Sequence, residues 1–360
     1  MKIGIITFHC AYNYGAVLQA FALKRYLQTT GYKDVEIIDY RPSYLIKKYS
    51  IFSPQKFGLD ILKELIKLPS KIKRRHQFES FISKYLSPVE DKKEWKEFDF
   101  YILGSDQIWN PFITGFDEFY FGKFSRKSSS KIISYAPSLE LVDLKGGDIE
   151  KIIRLSANIN NISVRETTML DVLKDNVDYS LALVVDPTLL VNPQVWNKFV
   201  IKKSTNERYI LLYQVRTDHI VQENAIKMAR DKGCKLKIIV SNRYNIPFRD
   251  IQYIKPSPLD FLSVIYNAEM ILSSSFHGVV FSLIFHKEFY AIKLDDNRND
   301  RIISLLSQIN LSDRIIEVNQ INELPFSPIE YTSVDDRIDK IRKKSEDFIR
   351  NALREDRHVD

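Results

Sequence analysis

Short apolar runs alternate with longer amphipathic ones along the chain. Ile3–Phe8 is a β-branched run of strand character. Residues 16–28 follow helical spacing, with Ala16, Ala20, Leu23 and Leu27 in step and Val17 and Phe21 beside them. Val35–Asp39, Phe98–Leu103, Lys131–Tyr135, Asn161–Val164 and Leu181–Val185 repeat the strand pattern. Phe98–Leu103 is closed by Gly104-Ser105-Asp106, and Leu181–Val185 by Asp186-Pro187. Short apolar strands separated by helices predict a largely parallel sheet covered on both faces.

After Pro193 the pattern restarts. Tyr209–Val215, Lys235–Val240, Met270–Leu272 and Phe289–Ile292 read as strands, and Glu223–Lys232, Pro258–Asn267 and Asn299–Gln308 as helices. Residues 334–355 are polar and helical, with no Gly or Pro. The expectation is an α/β chain of two Rossmann-like domains facing a cleft, at 1–194 and 195–325. A C-terminal helix within 326–360 is expected to pack back on the first domain. In such sheets ligands bind past the carboxyl ends of the strands, so functional residues should stand directly after strands.

Composition is that of an ordinary globular protein, 44% hydrophobic and 28% charged over 360 residues. Cys10 and Cys234 are too few and too far apart for a disulfide framework or a zinc site, so both read as buried thiols. The first residues are too short and too β-branched a run for a signal peptide, and no apolar stretch approaches the ~20 residues that span a bilayer. The protein is therefore expected in the cytoplasm. The net charge of +7 is concentrated in residues 44–75, where Lys47, Lys48, Lys67, Lys71, Lys73, Arg74 and Arg75 mix with Leu45, Ile46, Leu65 and Ile66. This stretch reads either as a solvated helical face beside a core or as a peripheral contact with an anionic membrane. No nucleic-acid-binding signature accompanies it.

Four segments could carry chemistry. Ser273-Ser-Ser-Phe-His-Gly278 follows a strand and opens a helix, so its N–H groups suit phosphate or carboxylate. There Ser273, Ser274 and Ser275 offer hydroxyls, Gly278 a close backbone approach, and His277 a group that titrates near working pH. Arg165 and Glu166 end the fifth strand, where the arginine either grips an anion or bonds Glu166 as a helix cap. Gly104–Pro111 brings Asp106, Gln107, Trp109 and Asn110, which read either as a sugar site with Asp106 as general base or as a turn over a core tryptophan. Asn13 and Gly15 mark the first strand-to-helix crossing, and one glycine there is too few for a dinucleotide fingerprint. Walker, nucleophile-elbow, His-Glu-x-x-His and paired-cysteine motifs are missing, and Asp295-Asp296 lacks a strand-end setting. His286 reads as structural, and His9, His76, His219 and His358 carry no site pattern.

Taken in order, Asn13-Tyr-Gly15, Gly104–Trp109, Ser134-Tyr-Ala-Pro137, Ser163-Val-Arg-Glu166, Val185-Asp-Pro187, Ser273–Gly278 and Arg301–Leu306 resemble the polysaccharide pyruvyl transferase family over about residues 3–310. The resemblance implies an architecture like that of the GT-B glycosyltransferases, with phosphoenolpyruvate as co-substrate and no cofactor or metal. The product would be a pyruvate ketal on a lipid-linked or nucleotide-linked sugar of a capsular, cell-wall or exopolysaccharide precursor. Under it His277 and Asp106 are catalytic, with Arg165, Ser273, Ser274, Ser275 and Gly278 on the donor. Asn13, Gly15, Gln107, Trp109 and Asn110 face the acceptor. The chain departs from the pattern at Ser275, where many members carry arginine, and Arg165, Lys287, Arg298 and Arg301 are the cations that could compensate. Two other functions fit the same residues: a nucleotide-sugar glycosyltransferase and a non-catalytic, membrane-associated scaffold.

Overall fold

The computed structural model describes residues 1–51, 59–176, 181–202, 207–240, 250–294, 299–324 and 328–354. Asp295, Asp296, Arg298 and His358, named above, lie outside these. Lys2–Ile6 (β1), Asp34–Ile37 (β2), Phe100–Leu103 (β3), Lys131–Ser134 (β4), Asn161–Val164 (β5) and Leu181–Leu183 (β6) form one sheet in the order β2-β1-β3-β4-β5-β6. Tyr209–Tyr213 (β7), Lys235–Ile239 (β8), Ile251–Ile254 (β9), Met270–Ser273 (β10), Glu288–Ile292 (β11) and Ile315–Ile316 (β12) form a second, ordered β12-β11-β10-β7-β8-β9. Every neighbouring pair in both sheets is parallel.

The apolar runs account for this arrangement. Phe100–Leu103, Tyr209–Tyr213 and Met270–Ser273 are buried at every position, as strands covered on both faces must be. The ten strands anticipated from the pattern are all present, within one or two residues at their ends. β9 and β12 were not anticipated: one follows a polar stretch and the other is two residues long.

In each sheet the chain winds outward one way and then returns to build the other side. The reversal falls between β1 and β3 in the first sheet and between β7 and β10 in the second. These are the switch points, where loops diverge and leave a crevice at the strand ends.

The chain divides into two compact units. The first comprises 1–47, 81–191 and 336–360, and the second 48–80 and 192–335. The expected division was 1–194, 195–325 and a terminal helix. The observed one differs chiefly in giving 48–80, the most basic stretch, to the second unit. The last helix, Tyr331–Ala352, fastens to the first unit through specific bonds. Ser345 Oγ accepts from Val185 N at 2.9 Å, and Arg342 Nε donates to Leu189 O at 2.6 Å. Both cysteines are buried and unlinked.

Candidate functional site

The switch point of the second sheet is built around Ser273, the last residue of β10, which lies level with Tyr213 at the end of β7. Ser273 Oγ donates to Tyr213 O at 3.0 Å and accepts from Ser275 N at 3.0 Å. Ser274 N donates to the same Tyr213 carbonyl at 3.1 Å, while Ser274 Oγ accepts from Val215 N at 3.3 Å. Two of the three serines therefore stitch the turn to β7. Ser275 is the N-cap residue of the helix Phe276–Ile284, and its side chain makes no capping bond there. It bonds the buried Tyr213 hydroxyl instead. Burial raises the Tyr213 pKa, and both that bond and the charge of Arg74 pull it back.

His277 and Gly278 lie in the first turn of this nine-residue helix, the end that presents free N–H groups and positive dipole. The glycine is required by packing. A Cβ on Gly278 would sit 2.2 Å from Ser273 Oγ and 3.0 Å from the Tyr213 ring. The approach it permits is that of the strand-end serine, not of a ligand to the backbone. His277 is 6% exposed, with its ring packed edge-on to Phe276 at 5.3 Å. The Arg301 guanidinium lies 6.0 Å from the centre of the Phe276 ring, so it stands by the same helix turn. Lys287 does not. It precedes β11, at the amino end of the sheet, opposite the serine turn. His286 is structural, stacked on Tyr331 at 4.5 Å and 3.1 Å from Asp335.

The strand ends of the first sheet carry a different cluster. Arg165 and Glu166 follow β5. The Arg165 guanidinium donates to Asp186 Oδ2 at 2.5 Å and to Ser105 Oγ at 3.4 Å, and its Nε lies 3.5 Å from Glu166 Oε1. Asp186 also accepts from Thr188 N and Oγ1, at 3.0 and 2.6 Å, and Ser138 donates to Glu166. Burial alone would lower the Arg165 pKa, but the charges of Asp186, Glu166 and Asp106 outweigh it, and the group is held above its ordinary value. Arg165 was expected to clamp the donor. It is instead a buried cation enclosed by carboxylates, which bind it more closely than an entering anion could.

Asp106 stands just past β3 with φ +75°, its Oδ1 accepting from Gln107 N at 2.9 Å. Gln107 Nε2 donates to Glu140 Oε1 at 2.7 Å. Gly104 is fixed by geometry: at φ +120° its Cβ would fall 2.1 Å from Tyr135 O. Two residues assigned to the acceptor are corrected here. Trp109 is fully buried, stacked on Phe121 at 5.2 Å, and its N–H donates to Tyr120 O at 3.1 Å, so no face is open to a sugar. Asn110 caps the next helix by accepting from Phe112 N at 3.0 Å. Asn13 is an exposed helix cap, accepting from Ala16 N at 3.4 Å, and Gly15 is buried in the first turn of that helix.

The sequence reading passed over several groups. His9 Nε2 lies 2.6 Å from Asp39 Oδ1, which Arg41 Nε also bonds at 2.8 Å. Asp39 and Arg41 line a cavity of about 480 Å³ in the first unit, walled by Tyr40, Trp95, Phe119 and Phe124. No motif marks these residues, since they meet only through the fold.

Two parallel-sheet α/β units with polar turns at their switch points define a GT-B-type chain. Residues 13–296 match the sequence model of the polysaccharide pyruvyl transferase family, and the chain belongs to that family. Solved structures share the fold at low identity. UDP-N-acetylglucosamine 2-epimerase from Rickettsia bellii aligns at TM-score 0.56 and 10% identity, over 98% of this chain and 96% of its own. The UDP-GlcNAc 2-epimerase of Neisseria meningitidis, solved with UDP-GlcNAc, aligns at 0.53 and 10%, over 98% and 99%. The S. aureus MnaA–UDP co-structure aligns at 0.53 and 12%, over 97% and 95%. A search of curated proteins finds no match. Among the described residues, no helix is long and apolar enough to cross a membrane.

Proposed function

We propose that this chain transfers the pyruvyl group of phosphoenolpyruvate to two hydroxyls of one sugar in a cell-surface polysaccharide precursor. The observation that carries the reading is the turn Ser273–Gly278. It gathers a helix N-terminus, serine hydroxyls and His277 at a switch point, in a chain of this family. An enol phosphate needs its anionic ends held and a proton delivered to its methylene carbon. In the proposed reaction His277 gives that proton to C3, using the electron pair of the double bond. One sugar oxygen bonds to C2, and the C2–O bond to phosphorus breaks with its electrons leaving on phosphate, which carries away the first hydroxyl's proton. The second hydroxyl then closes the ketal on C2, and its proton restores His277. For the acceptor, the first unit offers carboxylates at its strand ends, with Asp106 as the proposed base that takes the first hydroxyl's proton and passes it to the departing phosphate, and Gln107 and Glu140 as hydroxyl partners. Its aromatic-walled cavity beside β2 is the proposed seat of the sugar ring, in place of Trp109.

The test is incubation with phosphoenolpyruvate and a panel of lipid-linked and nucleotide-linked sugars. Acceptor-dependent phosphate release and a ketal-sized mass gain are expected. If a uridine or guanosine diphosphate sugar raises the melting temperature and phosphoenolpyruvate does not, the chain is a glycosyltransferase instead. If His277→Ala leaves product formation in cells unchanged, the scaffold reading replaces both.

A further inference from the structure

The most basic helix of the chain, Leu59–Phe81, belongs to the second unit for nearly its whole length. Helical spacing puts Lys67, Ser70, Arg74 and Phe78 on one face. That face is the inner one: Phe78 is fully buried, and Lys67, Ser70 and Arg74 are half-buried. The opposite face, with Leu65, Ile72, Lys73 and Arg75, is exposed. The inner face meets the carboxyl ends of the strands. Lys255, directly after β9, donates from Nζ to Ser70 Oγ at 2.9 Å. The Arg74 guanidinium lies 4.9 Å from the Phe78 ring centre, one helical turn from Ser70. Its charge reaches two neighbours. It holds down the Tyr213 hydroxyl that bonds Ser275, and it presses on Lys255. Burial lowers the Lys255 pKa, and Arg74 and Lys67 lower it further.

β9 and β10 are three strand positions apart, about 14 Å at the usual spacing. The strand between them nearest the turn is β7, whose last residue, Tyr213, feels the charge of Arg74. Lys67, Arg74 and Lys255 thus converge on one rim of the sheet. Burial and the charges of Arg74 and Lys67 disfavour the Lys255 ammonium, and a bound multivalent anion would favour it.

We infer that Lys67, Arg74 and Lys255 form the phosphate-binding wall of the second unit's switch-point site, beside the Ser273–Gly278 turn. The inner face of the basic helix then serves a small phosphate-bearing ligand, and only its outer face is free for any lipid contact. In the proposed reaction that ligand is phosphoenolpyruvate, so the donor identity rests on the reading above, whereas the phosphate wall does not.

The test measures dissociation constants of inorganic phosphate and of phosphoenolpyruvate by calorimetry, for the full chain and its variants. Arg74→Ala and Lys255→Gln should each weaken both probes about tenfold, the usual loss for one charge-assisted contact. Lys73→Ala with Arg75→Ala, on the outer face, should change neither. Lys255→Met should weaken phosphate while raising the melting temperature without ligand, a combination that a purely structural lysine does not give. If the wild type binds phosphate through Arg74 but not phosphoenolpyruvate, the wall stands and the donor reading falls. If phosphoenolpyruvate binds equally to wild type and Arg74→Ala, the wall is overturned and the donor reading survives. Failure of phosphate to bind the wild type at millimolar concentration also overturns the wall. So does a loss of binding to anionic phosphatidylglycerol vesicles in Arg74→Ala with phosphate affinity unchanged.

Discussion

The same corner, a parallel strand running through a polar turn into a helix, stands at the switch point of both sheets, and the two corners carry opposite charge. In the first, the charges of Asp186, Glu166 and Asp106 balance a single buried arginine, and Glu140 bonds Gln107. In the second, three serines and a histidine open the helix with Arg301 by Phe276, the charge of Arg74 reaches Tyr213 beneath them, and the described turn itself holds no carboxylate. Fold rules locate both corners equally well and say nothing of this difference. The groups brought from elsewhere in the chain decide which corner suits hydroxyls and which suits phosphate.

The comparison breaks most sharply at His277. His277→Ala should lower phosphate release from phosphoenolpyruvate about a hundredfold or more, the usual worth of a general acid. An unchanged initial rate would remove the second corner from the chemistry. Next in size is the ion pair of the first corner. Asp186→Asn keeps an acceptor for Thr188 N but removes the closest of the carboxylates that balance the buried Arg165 charge. It should cost about 3–5 kcal/mol of stability in urea melts, with phosphoenolpyruvate affinity per folded molecule unchanged. A normal melt with lost affinity would mean that Arg165 holds the donor after all.

Gly278→Ala should follow at about 1–3 kcal/mol, because the new methyl group overlaps Ser273 Oγ. Pairing it with Ser273→Gly should cost less than the sum of the two single changes, and strict additivity would deny the close strand-helix approach. The smallest effect is electrostatic. The Lys255 pKa is depressed in the folded chain, so its destabilising charge is fully present below the folded pKa. That penalty fades as pH rises toward the ordinary lysine value, because the unfolded chain then binds more protons. The stability gap between wild type and Lys255→Met should therefore shrink as pH rises toward about 10.4, the ordinary lysine value, and stay constant above it. A gap independent of pH would show that Lys255 does not feel Arg74 and Lys67.

Much of the fold was legible because its strands are short, continuously apolar and set off by turns. Ile3–Ile6, Phe100–Leu103 and Met270–Ser273 have one reading wherever they fall. The serine turn was legible too, since its hydroxyls, histidine and glycine are consecutive. What failed depended on distant partners. Arg165 looks the same in sequence whether it meets a ligand or Asp186, 21 residues on. Trp109 could be a platform or a core residue until Phe121 and Tyr120 enclosed it. The basic helix was visible as a charged amphipathic stretch, but spacing alone could not say that Ser70 faces Lys255, 185 residues away.

The most direct test of the claim that the second corner is the anion site is amide hydrogen exchange with and without saturating phosphoenolpyruvate. Protection of residues 274–278, together with 70–75 and 255, is the predicted result. Protection confined to residues 104–110 and 165–168, or no protection anywhere, would contradict it.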